Sequence, residues 1–364
     1  MAIISDKIAL DATDAQCRWF SQQCGYARFA FNHALEDYNN EPCHWQELNK
    51  RFNIAKRGID WSKGMDQRAA VFGIKNLGDA ISRWKSGQNR RPKKKRRRNS
   101  QSYSTDPNTV KVEWKRIKLP KIGWVRMYQK LRHKGEITKI TLSRTAHRWF
   151  VSITVDTGKP NVPRDTRGLP AIGIDVGINS LATLDTGKQY PNPRPLKKYE
   201  KKLKREHRKL SKKMFLSNNW FKQKRKVERI HYKIACIRAD AHHKATTEIV
   251  NMASVIGIET LKITNMLKNK NLAKALSDSA LGGFLEKLKS KAETLGIPVI
   301  QAPQFYASSK TCSNCGHKKK ELLLSERTYD CTECGSSIDR DVNAAINLKT
   351  LAVGQAESLN ACGV

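Results

Sequence analysis

The sequence predicts a fold of class α/β + β. An antiparallel β unit with accompanying helices fills the first half, and alternating strands and helices follow from residue 171. Three observations predict it. Short β-branched and aromatic runs, separated by turn residues, occupy 110–156. After 171, strand-like apolar runs alternate with long helical patterns. Two CxxC pairs lie between the last strand-like run and the last helical one.

The chain has 364 residues, enough to bury a sizeable core in two or three domains. Hydrophobic residues make up 39%, which argues against wholesale disorder. No apolar run approaches the ~20 residues that span a bilayer. The opening MAIISDKIALDATDAQ has no basic region followed by an apolar one, so no secretory signal is expected. Lys and Arg number 69 against 33 Asp and Glu, a formal net charge of +36. Such a chain repels itself unless it meets a polyanion, and nucleic acid is the natural candidate. Charge alone does not separate an enzyme from a protein that only coats phosphates. The nine cysteines are odd in number, and five (Cys17, Cys24, Cys43, Cys236, Cys362) stand singly. That pattern suits a reducing cytosol better than a disulfide framework.

Element by element, residues 14–38 predict a helix. Trp19, Phe20, Cys24, Ala27, Phe31, Leu35 and Tyr38 recur near the 3.6 period. A second helix is expected over 65–86. Eight of the nine residues Arg90–Arg98 are basic, and the run reads as a solvated loop that orders on a phosphate backbone. Within 110–156, VKVEW, IKLPKIGWVRM, EITKITLSRT and RWFVSITVD predict an antiparallel sheet or small barrel. The early DKIAL is placed to join it, which makes 14–86 an insertion into, or a neighbour of, the β unit. NVPRDTRGLP, at 161–170, predicts a linker. AIGIDVG and SLATLDTG predict a hairpin. A very basic helical region runs over about 195–250, with a break at Ser217–Asn219. SVIGIET is a strand, ALGGFLEKLKSKAETLG a helix ending at Gly296, IPVIQA a strand, and DVNAAINLKTLA a helix.

Two constellations carry chemistry. Cys312, Cys315, Cys331 and Cys334 follow C-x2-C-x15-C-x2-C, the spacing of a four-thiolate zinc site. Gly316 and Gly335 follow the pairs and suit the tight knuckle turns. A complete thiolate set leaves no vacancy for His317 and no open position for catalysis, so this zinc is expected to be structural. The second constellation is three acids. Asp175 ends the apolar run AIGID, Glu259 ends VIGIE, and Asp341 opens DVNAAINL. Carboxylates at the ends of buried strands are costly unless a cation pairs with them. Converging, the three would form a cage of hard oxygens for Mg²⁺. Taken singly, each is more often a turn former or helix cap than a ligand, and composition and spacing alone favour that reading over the metal site. Asp339 and Asp341 compete for the cap and the ligand role.

At these residues the sequence resembles the TnpB family, accessory proteins of bacterial insertion sequences related to compact type V CRISPR effectors. GIDVGINSLATL, IGIETL and SSKTCSNCG…YDCTECGSSIDRDVNAAINL resemble its three RuvC motifs and the intervening zinc ribbon. NPRPLKKYEKKLKREHRKLSKK and GYARFAFNHALEDYN resemble further family stretches. The resemblance implies a β-barrel wedge domain over 1–13 and 104–160, with a helical recognition insertion and basic loop over 14–103. After the linker it implies an RNase H-like (RuvC) nuclease domain over 171–364, the ribbon being inserted at 308–337. It implies an RNA-guided, metal-dependent endonuclease that cuts double-stranded DNA beside a short transposon-associated motif. The guide would come from the transposon end. The catalytic acids become Asp175, Glu259 and Asp341, holding two Mg²⁺, and one structural Zn²⁺ occupies the cysteines. Asp341 is taken over Asp339 because the third acid stands two residues before the Asn of D-x-N, here Asn343.

Arg90, Arg91, Lys93, Lys94, Lys95, Arg96, Arg97 and Arg98, with Lys197, Lys198, Lys201, Lys202, Lys204 and Arg205, are the expected nucleic-acid contacts. The protein is expected to act in the bacterial cytoplasm, with no membrane partner, as a monomer with its RNA, a dimer being left open. One departure stands out: the family's Glu-Asp-Leu is here Glu259-Thr260-Leu261. Rival readings are a nuclease-inactive RNA-guided regulator, a transposase joining strands, and a structural RNA-binding protein.

Overall fold

The computed structural model describes residues 3–96, 101–158, 160, 163–323 and 326–361. The chain forms two compact units, Met1–Pro160 and Asn161–Val364.

Unit 1 begins with β1 (Ile3–Asp11), α1 (Asp14–Asn40), α2 (Trp45–Ala55) and α3 (Gln67–Lys85). Six strands follow: β2 (Gln101–Thr105), β3 (Lys111–Glu113), β4 (Arg116–Leu119), β5 (Gly123–Met127), β6 (Glu136–Thr145) and β7 (Arg148–Asp156). The sheet order is β2-β6-β7-β1-β5-β4-β3. The early DKIAL stretch therefore lies in a central strand. β1 pairs antiparallel with β7 over Ile3–Ala9 and with β5 at Leu10 and Asp11. Among the described residues, strand pairing does not return from β3 to β2.

α1 starts at a capping box, in which Thr13 and Gln16 satisfy each other's backbone N–H groups. Its apolar face shares one core with the sheet, joining Phe20, Tyr26 and Phe31 to Leu48, Phe52, Ile74, Val125, Ile140 and Val151. The expectation misses α2, which buries Leu48 and Phe52 but has no side-chain cap at His44 to announce it. It also misses β2, which starts inside the stretch assigned to the helical region. QSYST shows no apolar alternation, and Ser104 pairs by its hydroxyl with Thr141 at 2.8 Å.

Unit 2 opens with β8 (Ala171–Asp175), β9 (Ser180–Leu184) and β10 (Gln189–Pro191). Next come α4 (Pro195–Ser211), α5 (Asn218–Met252), β11 (Val255–Ile258), α6 (Ile263–Met266), α7 (Lys270–Ser279) and α8 (Leu281–Leu295). The unit closes with β12 (Val299–Gln301), β13 (Thr328–Asp330), β14 (Ser337–Asp339) and α9 (Arg340–Ala361). The break between α4 and α5 falls at 212–217, earlier than expected. Ser217 is the N-cap of α5, its hydroxyl accepting from the Trp220 N–H at 3.1 Å.

The main sheet has the order β10-β9-β8-β11-β12. β8, β9 and β10 form an antiparallel meander, whereas β11 lies parallel to both β8 and β12. Successive strands are therefore added on one side of β8 (β9, then β10) and afterwards on the other (β11, then β12), which makes the β8–β11 boundary a topological switch point. In open α/β sheets, ligands bind beyond the carboxyl ends of strands at such a switch point. On one face, Ile172, Ile174, Ile256 and Ile258 pack with Ile249, Phe284 and Leu288 from α5 and α8. The other face is covered by α9.

Candidate functional site

β8 and β11 run in register, Gly173 beside Gly257 and Ile174 beside Ile258. The next residue on each chain is an acid, so Asp175 and Glu259 emerge side by side. Side chains alternate along a strand, so these acids share the face of the two glycines. That face lies under α9. A Cβ on Gly173 would overlap the Ala345 carbonyl, and one on Gly257 the Leu348 carbonyl. Only glycine permits this approach, and it brings the first turn of α9, with Asp341, toward the strand ends. Lys349 further ties the helix down, donating to buried Asp185 at 2.8 Å. The repeated I-G-I-[DE] of AIGID and VIGIE is the sequence signal for these glycines, a signal the sequence reading passed over.

The competition between Asp339 and Asp341 has a clear geometry. Asp339 Oδ1 accepts the N–H groups of Asp341 and Val342 at 2.9 and 3.1 Å, capping the helix. The Asp341 carboxylate is left to the strand ends, with Arg340 Nε at 3.7 Å. Glu259 Oε1 accepts from the Ser308 hydroxyl at 2.5 Å. Burial pushes the Asp175 carboxyl up, and the charges of Glu259 and Asp341 push it further, to about 8. A nearby cation would favour the charged form of Asp175 and relieve this load. Among the described residues they do not close as tightly as the cysteines, whose Sγ atoms all lie within 4.8 Å of one another. As a donor set, hard carboxylate oxygens suit Mg²⁺.

The four cysteines meet as their spacing predicts. Sγ–Sγ distances are 3.7 Å for Cys312–Cys334 and 3.5 Å for Cys315–Cys331. A tetrahedron with Zn–S near 2.3 Å places sulfurs about 3.8 Å apart. Gly316 and Gly335 take φ of 78° and 69°, and each donates back to the first cysteine of its pair. The Ser336 N–H and the Asn314 amide draw the Cys334 thiol down to about 6. β13 and β14 pair antiparallel, and buried Tyr329 seals the ribbon, donating to the Lys310 and His317 carbonyls. His317 stays outside the cluster, 3.8 Å from Glu333.

With this geometry in place, comparison with known proteins is informative. A family model described as "Probable transposase" (OrfB_IS605) matches residues 151–270, and a "Cas12f1-like, TNB domain" model matches 282–348. A Streptomyces pristinaespiralis protein named "Putative RNA-guided DNA endonuclease" is 32% identical over 96% of this chain and 89% of its own. An Escherichia coli K12 protein described in the same words, InsQ, is 30% identical over 96% of this chain and 90% of its own. The chain belongs to the TnpB family. A "CRISPR-associated endodeoxyribonuclease Cas12f1" from Sulfoacidibacillus thermotolerans is 28% identical over a shorter stretch, 34% of this chain and 29% of its own.

In this TnpB chain the basic run is not a free loop. It lies along α1, where Asn32, Glu36 and Asn39 line one face. Asn32 bonds the Lys95 backbone twice, at 2.7 and 3.0 Å. Lys94 donates to Glu36 at 2.8 Å and Arg91 to Asn39 at 2.9 Å, and Lys95 Nζ sits 3.8 Å from the Phe31 ring centroid. Docking offsets the self-repulsion that would otherwise keep such a run solvated. Arg90, Arg91, Lys93, Lys94, Lys95 and Arg96 all remain exposed, while Arg97 and Arg98 lie outside the described residues. On α4, Lys197, Lys198, Lys201, Lys202, Lys204 and Arg205 are all exposed. Asp278 of α7 caps α4 from a distance, accepting the N–H groups of Leu196 and Lys197 at 2.8 and 3.0 Å. Thr260, the departure from the family motif, donates to the Ala302 carbonyl at 2.6 Å and so ties the end of β11 to the segment after β12. No described helix is long and apolar enough to cross a membrane.

Proposed function

We propose that this TnpB protein is an RNA-guided, metal-dependent DNA endonuclease of an insertion-sequence element. It hydrolyses phosphodiester bonds of double-stranded DNA beside a short transposon-associated motif. What supports the reading is that Asp175 and Glu259 follow in-register neighbouring strands at the switch point of an α/β sheet, with Asp341 near enough for its charge to raise Asp175. The names of the Streptomyces pristinaespiralis and Escherichia coli relatives, matched over nearly their whole length, support the RNA-guided part.

Asp175, Glu259 and Asp341 would hold two Mg²⁺, which when bound supply an activated water and stabilise the leaving oxygen. The chain's own residues do the rest. Asp339 takes the cap and leaves Asp341 to the site. Gly173 and Gly257 let α9 close on the strand ends. Cys312, Cys315, Cys331 and Cys334 hold one structural zinc. The exposed cations of α4 and of Arg90–Arg96 hold the sugar–phosphate backbone of a guide RNA from the transposon end and of its DNA target. The wedge and recognition roles belong to unit 1, and the working form is a monomer with its RNA in the bacterial cytoplasm.

The test is Asp175→Ala in the copurified protein–RNA complex, assayed on DNA matching that RNA. Cleavage should fall at least 10³-fold while RNA retention stays unchanged. EDTA should stop the wild-type reaction and Mg²⁺ restore it. A variant that still cuts rejects the acid site, and joined rather than hydrolysed ends would assign strand transfer.

A further inference from the structure

We infer that Ser308 is a positioning residue for Glu259, and that a pair of asparagines on α9 fixes Ser308 by stapling the entrance of the cysteine ribbon to the acid site. The inference rests on the metal-site reading above and adds to it the part that sets the second acid.

Ser308 is 1% exposed and stands in a segment with no strand partners of its own. Its hydroxyl donates to one oxygen of Glu259 at 2.5 Å. An ionised carboxylate has two oxygens and about four acceptor positions. A fixed donor on one of them sets the rotation of the group and leaves the other oxygen for a cation. Ser308 is itself held. Its carbonyl accepts from Asn347 Nδ2 at 2.8 Å, and the same amide donates to the Thr311 carbonyl at 2.7 Å. One turn earlier, Asn343 donates to the Thr311 carbonyl at 2.8 Å and accepts the Ser313 N–H at 2.9 Å. Asn343 is 0% exposed and Asn347 6%. Thr311 and Ser313 flank Cys312. Two amides at i and i+4 of α9 thus grip the segment that enters the first knuckle, two and six residues after Asp341. The same helix that carries the third acid holds the residue that aims the second. Partners in this outer position typically change metal affinity or activity 10–100-fold when lost.

The full chain with its copurifying RNA is compared as wild type, Ser308→Ala, Ser308→Thr and Glu259→Gln. Cleavage is followed against Mg²⁺ concentration. Separately, Fe²⁺ with ascorbate is used to cut the polypeptide at bound metal, and the fragments are mapped by mass spectrometry. Zinc per chain and melting temperature check the fold. Ser308→Ala should raise the half-saturating Mg²⁺ 10–100-fold, with the maximal rate recovered at high metal. Iron-directed scission near Asp175, Glu259 and Asp341 should weaken while zinc is retained, and Ser308→Thr should restore both. The inference is overturned if Glu259→Gln is inactive while Ser308→Ala matches wild type in metal dependence and scission. It is overturned equally if Ser308→Ala fails only together with zinc loss or a lowered melting temperature, which would make the serine a packing residue. A Glu259→Gln protein that cuts normally rejects the metal-site reading itself, and this inference with it.

Discussion

Asp175 loads the metal-free fold. Unfolded, its carboxyl titrates near 3.8; folded, it is held at about 8 by burial and by the neighbouring charges of Glu259 and Asp341. Between those values the native state binds the proton more tightly than the unfolded chain does. Stability therefore falls as pH rises through that window, by at most about 1.4 kcal/mol per pH unit, and levels off above about 8. Asp175→Asn removes the titration. In EDTA at pH 8 the variant should melt above wild type, and the gap should narrow at pH 5. Adding Mg²⁺ at pH 8 should raise the wild-type melting point more than the variant's. Equal pH dependence of the two proteins would reject the picture of crowded acids. Asp175 and Glu259 drew notice because each ends an apolar run, Asp341 because it opens a helical one, and the four cysteines, which do meet, because of their spacing. Ser308 was not, since the acids nearest to it in sequence, Glu293 and Glu321, are 15 and 13 residues away, and its partner Glu259 stands 49 residues earlier at the end of β11. Asp278 was not legible either: it caps a helix that begins more than eighty residues earlier, a purely tertiary contact.

Elements were legible where periodicity was strong and capped. α1 has its capping box and a full apolar stripe, and α8 ends at Gly296, which takes the left-handed conformation. Short or polar pieces escaped. β2 is five residues with one apolar side chain, and β10 is three. The described part of the basic run is an exposed loop, as its charge pattern predicts, and what escaped was its attachment to Asn32, Glu36 and Asn39 of α1. At this scale the decisive contact is α9 on β8 and β11. Gly257→Ala should push the Leu348 carbonyl, and with it the first turn of α9, away from the strand ends. Overpacking of this kind costs about 1–3 kcal/mol, a fall of several degrees in melting temperature. Cleavage should drop more than stability alone explains, because Asp341 moves relative to Asp175. A Gly257→Ala protein with wild-type melting and cleavage would show that the helix does not set the acid geometry.

For the whole molecule the governing quantity is the charge of +36. Each unit carries exposed cations, on Arg90–Arg96 in one and on α4 in the other. A protein that neutralises 6–10 phosphates loses roughly 10³–10⁵ in affinity between 50 and 200 mM salt. Binding of RNA measured across that range should show a log–log slope of this size. A flat response would mean that the positive surface does not face the phosphates. Order along the chain has its own consequence. Asp341 and α9 follow every strand of the main sheet in sequence. Domains fold as units while the ribosome still adds about 5–20 residues per second. During synthesis Asp175 and Glu259 are therefore made before the third carboxylate, and Gly173 and Gly257 before the helix that covers them. A chain interrupted before α9 holds two acids that cannot complete a cage. On the reading proposed above, cutting depends on the last element to be made, and a chain ending before Asp341 should not cleave DNA.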